Sequence, residues 1–136
     1  MGCIDYRSTH DIPIDHVLTL YEANGWSAVQ KPQLLHKALL NSDTLVSAWD
    51  GNRLVGLGNA ISDGHLVVYY PHLLVLPDYQ GCGIGREIMQ RLKTRYEGFH
   101  QHMLIAESAA VRFYEKMGFA RAGKTAPMWI YTGGDH

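Results

Sequence analysis

Apolar positions along the chain change their spacing several times, and each change marks a predicted element. Residues 3–8 alternate weakly, as a short first strand would. From Pro13 the spacing turns helical: Ile14, Val17, Leu18 and Tyr21 fall at i, i+3, i+4 and i+7, and Gly25 supplies a stop. A second short helix is expected from about Pro32 to Leu40, with Leu34, Leu35, Ala38 and Leu39 as its apolar stripe. Thr44–Trp49 and Arg53–Ile61, joined by Asp50-Gly51-Asn52, read as a β-hairpin. Ser62-Asp63-Gly64 then turns into His65–Leu76, a Val-, Leu- and Tyr-rich run broken by Pro71. Proline cannot donate to a ladder, so a bulge or an unpaired edge belongs there.

Beyond Pro77-Asp78-Tyr79 the texture changes. Gln80-Gly81-Cys82-Gly83-Ile84-Gly85 leads into a helix with Ile84, Ile88, Met89, Leu92 and Tyr96 on one face. A short strand is expected at His102–Ala106, a helix at about Ser108–Met117 closed by Gly118, and closing strands from Phe119 onward and at Ala126–Tyr131. This order predicts one α/β (α+β) domain over residues 1–136, with a mixed, mostly antiparallel sheet.

Composition narrows the function. A chain of 136 residues buries about two-thirds of its surface on folding, enough for a core without staples. Charged residues make up 18% and hydrophobic ones 46%, which excludes a disordered chain. No apolar run approaches the roughly 20 residues that span a bilayer. A net charge of −1 gives no basic excess for nucleic acid. Cys3 and Cys82 are too few for a disulfide framework and lack zinc-site spacing, which points to a reducing compartment. Met1-Gly2-Cys3-Ile4-Asp5-Tyr6 has neither a basic start nor an apolar stretch, and Tyr6 stands where a myristoylation signal needs Ser or Thr. A soluble cytoplasmic protein with no membrane and no nucleic-acid partner is expected.

The candidate chemistry lies in the glycine loop. Three alternating glycines between a strand and a helix let backbone amides converge, and the helix N-terminus adds partial positive charge. Such a loop can cradle a diphosphate or merely end a strand. Gly85 is followed by Arg86-Glu87, so the Lys-Ser/Thr of an ATPase P-loop is missing. A dinucleotide fingerprint would require glycine at Arg86 and a place after the first strand of a parallel unit.

Val75-x-Pro77-x-x-Gln80-x-x-Gly83-x-Gly85 resembles the acetyl-coenzyme-A loop of the Gcn5-related N-acetyltransferases (GNAT family), whose core is Q/R-x-x-G-x-G/A. Ala110-x-x-Phe113-Tyr114-Glu115-Lys116-x-Gly118-Phe119 resembles a second motif of that family, in the right order and at the right separation. The motifs agree over roughly residues 72–119; the N-terminal third matches only in element order. Glu107 stands where many members carry Asn. The resemblance implies a sheet of 6–7 strands flanked by about four helices, with a splayed central strand pair. It also implies acetyl-CoA as co-substrate and direct transfer of its acetyl group to a primary amine.

Residue by residue, the resemblance implies that Gln80, Gly81, Cys82, Gly83, Ile84 and Gly85 surround the diphosphate through their amides; Arg86 either adds charge to the phosphate or sits in the first turn of a solvated helix. Backbone groups around Leu74 and Val75 would pair with the pantetheine arm. Tyr114 would sit near the thioester sulfur and protonate the leaving thiolate, and a phenol with a pKa near 10 suits that task. A base must relieve the amine of its proton; His72, Tyr69 or water are the candidates, and histidine as a residue type titrates in the useful range. Cys82 is not expected to form an acyl-enzyme, because transfer is direct. Tyr21, Trp26 and Trp49 are either core or the walls of an aromatic acceptor pocket. His100-x-His102 and His65…His72 lack supporting ligands, so no metal is expected. A small-molecule amine is the expected acceptor, with a homodimer left open. Transfer to a protein N-terminus or lysine, and a non-catalytic CoA-binding module, are the alternatives.

Overall fold

A computed structural model describes residues 3–133. Met1 and Gly2, part of the N-terminal stretch read above, and residues 134–136 lie outside the described residues. Strand β1 (Asp5–Arg7) is followed by helices α1 (Ile14–Ala23) and α2 (Pro32–Leu40), with a 3₁₀ turn at Ser27–Gln30 between them. Strands β2 (Thr44–Asp50), β3 (Arg53–Ser62), β4 (Val67–Tyr69) and β5 (Leu73–Val75) come next, then helix α3 (Ile84–Arg95), strand β6 (Gln101–Met103) and helix α4 (Val111–Lys116). The sheet runs β1-β2-β3-β4-β6, and β5 also pairs with β3. Every pairing is antiparallel except β4 with β6.

The interruption expected at Pro71 is present and divides one long strand in two. Before it, β4 pairs with Ile61–Ser62 of β3 on one side and with β6 on the other. After it, β5 pairs only with Gly56–Gly58 of β3. The β4–β6 ladder ends at Tyr69 and Met103, apart from one further bond from Tyr70 N–H to Met103 C=O at 3.0 Å. Among the described residues, β5 therefore has a bare edge. A buried asparagine bridges the gap at the proline: Asn59 donates its backbone N–H to His72 C=O (3.1 Å), and its Oδ1 accepts His72 N–H (3.0 Å). Its Nδ2 donates to Ser42 Oγ (3.0 Å), which in turn donates to Ala38 C=O (3.0 Å).

Helix α3 covers β3 with the face predicted for it: Ile84, Ile88, Met89 and Leu92 are buried. The helix comes close because β3 carries glycines beneath it. A Cβ on Gly58 would stand 2.7 Å from Ile88 Cγ2 and 3.0 Å from Leu92 Cδ1; one on Gly56 would meet Ile84 Cγ2 and Ile88 Cδ1 at 3.0 Å. Burial of this interface and of the α1 face (Val17, Leu20, Tyr21) builds one continuous core.

Some expectations need correction. Phe119 onward and Ala126–Tyr131 form no strand; beyond Phe119, among the described residues, only Gly123 N–H and Thr125 N–H make backbone hydrogen bonds, both local. Pro127 lacks a donor and Gly123 has φ +62°, so the segment has little with which to build a ladder at its start. Leu34 is 62% exposed and leaves the α2 stripe to Leu35 and Leu39. The last helix is split, with a 3₁₀ turn at Ser108–Ala110 before α4, and the strand expected at His102–Ala106 ladders only over Gln101–Met103. No helix among the described residues is long and apolar enough to cross a membrane.

Candidate functional site

The bare edge of β5 and the N-terminus of α3 form the two sides of a cleft of about 500 Å³. On the strand side, backbone direction follows from the flanking bonds. Asn59 N–H to His72 C=O and Leu76 N–H to Val55 C=O (2.8 Å) fix the alternation. Leu74 thus uses its backbone on Leu57 of β3, while the groups of Leu73 and Val75 point to the open edge. Val75 C=O accepts Gln80 Nε2–H at 3.1 Å, so the glutamine closes the end of this edge. Side chains of Leu73, Leu74 and Val75 also line the cleft.

On the helix side, Gly83 is the N-cap of α3 with φ +85°, and Gly81 has φ +79°. That left-handed backbone suits glycine and turns successive amides toward one place. The N–H groups of Gly81, Cys82 and Gly83 have no partner among the described residues, and the first amides of a helix are unpaired by construction. Gln80, Gly81, Gly83, Ile84, Gly85 and Arg86 all line the cleft. An anion would find backbone donors, a helix N-terminus and a guanidinium together. Cys82 does not line it. Its exposed thiol makes one long contact, 3.8 Å to Gln80 C=O.

Tyr114 reaches the cleft from α4, beside Ala110 and Phe113. Phe113 and Phe119 pack edge-on against its ring at 5.0 and 5.9 Å and set its direction. Its hydroxyl makes no hydrogen bond among the described residues, and burial raises its pKa above the ordinary phenol value. The group therefore stays protonated throughout the neutral range. Lys93 Nζ donates to Met117 C=O, tying the end of α4 to α3.

His72 lies on the other side of β5, outside the cleft lining. Its Nδ1 is 2.8 Å from the hydroxyl of Tyr21, a fully buried residue whose pKa burial drives upward. Trp26 packs edge-on against both rings, 5.1 Å from His72 and 5.6 Å from Tyr21. The sequence missed this connection, because residues 21, 26 and 72 meet only in the fold. Tyr21 is core rather than pocket wall. Trp49 is also core: it is buried and packs against His16 at 5.2 Å, away from this cluster. Tyr69 sits on β4, before the proline, paired with Ile61 and Met103. Asn59, also missed, had one signal: a lone amide in an apolar strand. Among the described residues no group of three His, Cys, Asp or Glu could hold a metal ion.

Comparison with known proteins gives a consistent picture. The family model described as "Acetyltransferase (GNAT) domain" matches residues 15–127. The chain is 31% identical over 121 residues to an uncharacterized N-acetyltransferase, ycf52, of Porphyra purpurea, covering 84% of this chain and 68% of that protein. It is 31% identical over 120 residues to serotonin N-acetyltransferase 2, chloroplastic, of Oryza sativa subsp. japonica, covering 84% of this chain and 60% of the relative. A solved GNAT-family acetyltransferase from Streptococcus pneumoniae superposes with a TM-score of 0.83 at 32% identity, covering 95% of this chain and 98% of that one.

Proposed function

Because the chain belongs to the GNAT acetyltransferase family, we propose that residues 1–136 form a single N-acetyltransferase domain taking acetyl groups from acetyl-CoA to a small-molecule primary amine. The observation that carries the proposal is the bare edge of β5 running into the unpaired amides of Gly81–Gly83. An extended amide-bearing arm can add to that edge as a strand would, with its diphosphate at the head of α3.

Each residue then has a task. The amides around Gly83 and the Arg86 side chain hold phosphate charge. The Val75 N–H, directed to the open edge, is the donor for the oxygen that becomes negative when the amine nitrogen attacks the thioester carbon. His72 takes the proton lost by the attacking amine; acting at Nε2, it needs Nδ1–H donating to the Tyr21 oxygen. As the C–S bond breaks, Tyr114 gives its phenolic proton to the departing sulfur. Trp26, beside His72, offers an apolar wall to the body of the amine. The name of the rice relative supports a small amine as acceptor. Both cysteines are free and exposed, which supports a reducing setting such as the cytoplasm.

The test is thiol release from acetyl-CoA across a panel of small amines and of peptides bearing a free N-terminus or lysine, alongside calorimetric titration with acetyl-CoA. Turnover with small amines supports the reading. Turnover confined to peptides overturns the acceptor class, and no acetyl-CoA binding overturns the proposal as a whole.

A further inference from the structure

The edge of β5 carries one group that a side chain of the same chain has already taken. Val75 C=O points away from β3, and Gln80 Nε2–H donates to it at 3.1 Å. The 3₁₀ turn at Pro77–Tyr79 makes this reach possible. Tyr79 N–H bonds to Leu76 C=O at 2.9 Å and Gln80 N–H to Pro77 C=O at 3.2 Å, so the chain doubles over and the glutamine returns to β5. The same nitrogen lies 3.5 Å from Asn24 Oδ1, at the C-cap of α1. Partners fix the orientation of both amides. Asn24 Nδ2–H donates to Leu20 C=O at 3.0 Å, which leaves its oxygen toward Gln80, and a backbone carbonyl can only accept, so Gln80 faces Val75 with its nitrogen. The Gln80 side chain is exposed and lines the cleft, so it can leave without disturbing the core.

An amide N–H on a strand-edge carbonyl is what an added strand supplies, and it is also what the amide-bearing arm of CoA supplies. Both must approach Val75 C=O from the open side. We propose that the Gln80 carboxamide is a built-in stand-in for the arm: it holds Val75 C=O in the free protein, is displaced when the arm adds to β5, and then turns onto Asn24 Oδ1. The proposal rests on the acetyl-CoA reading above and concerns a side chain to which that reading gives no task. In the free protein the contact covers part of an edge that would otherwise invite a foreign strand. Its cost to the donor is the net worth of one exposed hydrogen bond, about fivefold in affinity.

The test is calorimetric titration of the whole chain with CoA and with the nucleotide half of CoA, a phosphorylated ADP that lacks the arm. Gln80→Met keeps the backbone and the length of the side chain but has no N–H to donate. It should bind CoA about fivefold more tightly than the parent and the armless nucleotide equally well. Asn24→Ala removes the place to which the carboxamide turns and should weaken CoA binding about threefold, again sparing the nucleotide. In NMR spectra of the isotope-labelled parent, the side-chain NH₂ signals of Gln80 should shift with CoA and stay in place with the nucleotide. A parent that binds both ligands, with a Gln80→Met variant that binds CoA no more tightly, overturns the stand-in and leaves the acetyl-CoA reading intact. An equal gain for both ligands, or Gln80 signals unmoved by CoA, overturns it as well. A parent that binds neither ligand overturns the acetyl-CoA reading and the stand-in with it.

Discussion

Asn59→Ala should damage stability and catalysis together, because one amide bridges the sheet where Pro71 breaks it. The substitution removes two hydrogen bonds, Nδ2–H to Ser42 Oγ and His72 N–H to Oδ1, both 3.0 Å, while the backbone bond to His72 C=O persists. A net bond is worth about 0.5–1.5 kcal/mol, and leaving the half-buried His72 N–H without an acceptor adds to the loss. The expected cost is about 2–3 kcal/mol. With an unfolding entropy near 2.1 cal/mol/K per residue, a chain of 136 residues should melt about 7–10 °C lower. Differential scanning calorimetry reads the melting point, and thiol release at a temperature where the variant is fully folded reads kcat. His72 and the first residue of β5 lose the same anchor, so kcat should fall by at least about tenfold, or 1.4 kcal/mol of barrier. Ser42→Ala spares the His72 contact, and should lower the melting point by less and leave kcat near that of the parent. A melting point within about 2 °C of the parent, with kcat unchanged, would show that water replaces the amide and that the bridge holds nothing in place.

Other outcomes follow from the cleft. Gly83→Val forces a β-branched residue to φ +85° and should weaken acetyl-CoA binding at least tenfold, or about 1.4 kcal/mol, by calorimetry, even though a Cβ there meets nothing within 4 Å. Tyr114→Phe keeps the ring between Phe113 and Phe119 and should lower kcat about 100-fold with acetyl-CoA affinity intact. Burial raises the Tyr114 pKa, so the parent's rate should fall only at pH above the ordinary phenol value, and the variant should lack that alkaline limb; equal profiles would make the residue structural. Cys82→Ala should retain activity within about twofold, since the thiol does not line the cleft; an acetylated Cys82 trapped at a competent rate by mass spectrometry would recast the mechanism.

The sequence displays this site unevenly, and the reasons are physical. Pro71 and the alternating glycines act through their own backbone restrictions, so the broken strand and the loop ahead of α3 can be read from the residues alone. The residues of β5 and of the loop that line the cleft lie close to these markers, whereas Tyr114 comes from a separate helix further along the chain. Contacts across long separations cannot be read in this way. Tyr21 and His72 are 51 residues apart, and Ser42 lies 17 before Asn59; no periodicity links them. Tyr21 carries the pattern of a core residue and is one, while its hydroxyl also serves a neighbour. The strands expected after Phe119 failed for a different reason. Their side chains have strand character, but a ladder requires an edge, and this chain takes the segment toward Ser27 and Lys31 instead. Local propensity proposes a strand, and tertiary placement decides whether it pairs.

The two glycines beneath α3 make the helix behave as a lever. It is 12 residues and about 18 Å long, with the glycine loop at its front end. Gly56 lies under Ile84 and Ile88, at the front of the rod, and Gly58 lies under Ile88 and Leu92, astride its midpoint. A methyl group at Gly56 would raise the front and draw the loop away from β5. The same methyl at Gly58 would lift the rod along its length. Chemically identical substitutions two positions apart should therefore move the mouth of the cleft differently, one by tilting the helix and the other by translating it. The width of the cleft is thus adjustable from inside the core, by residues that do not line it.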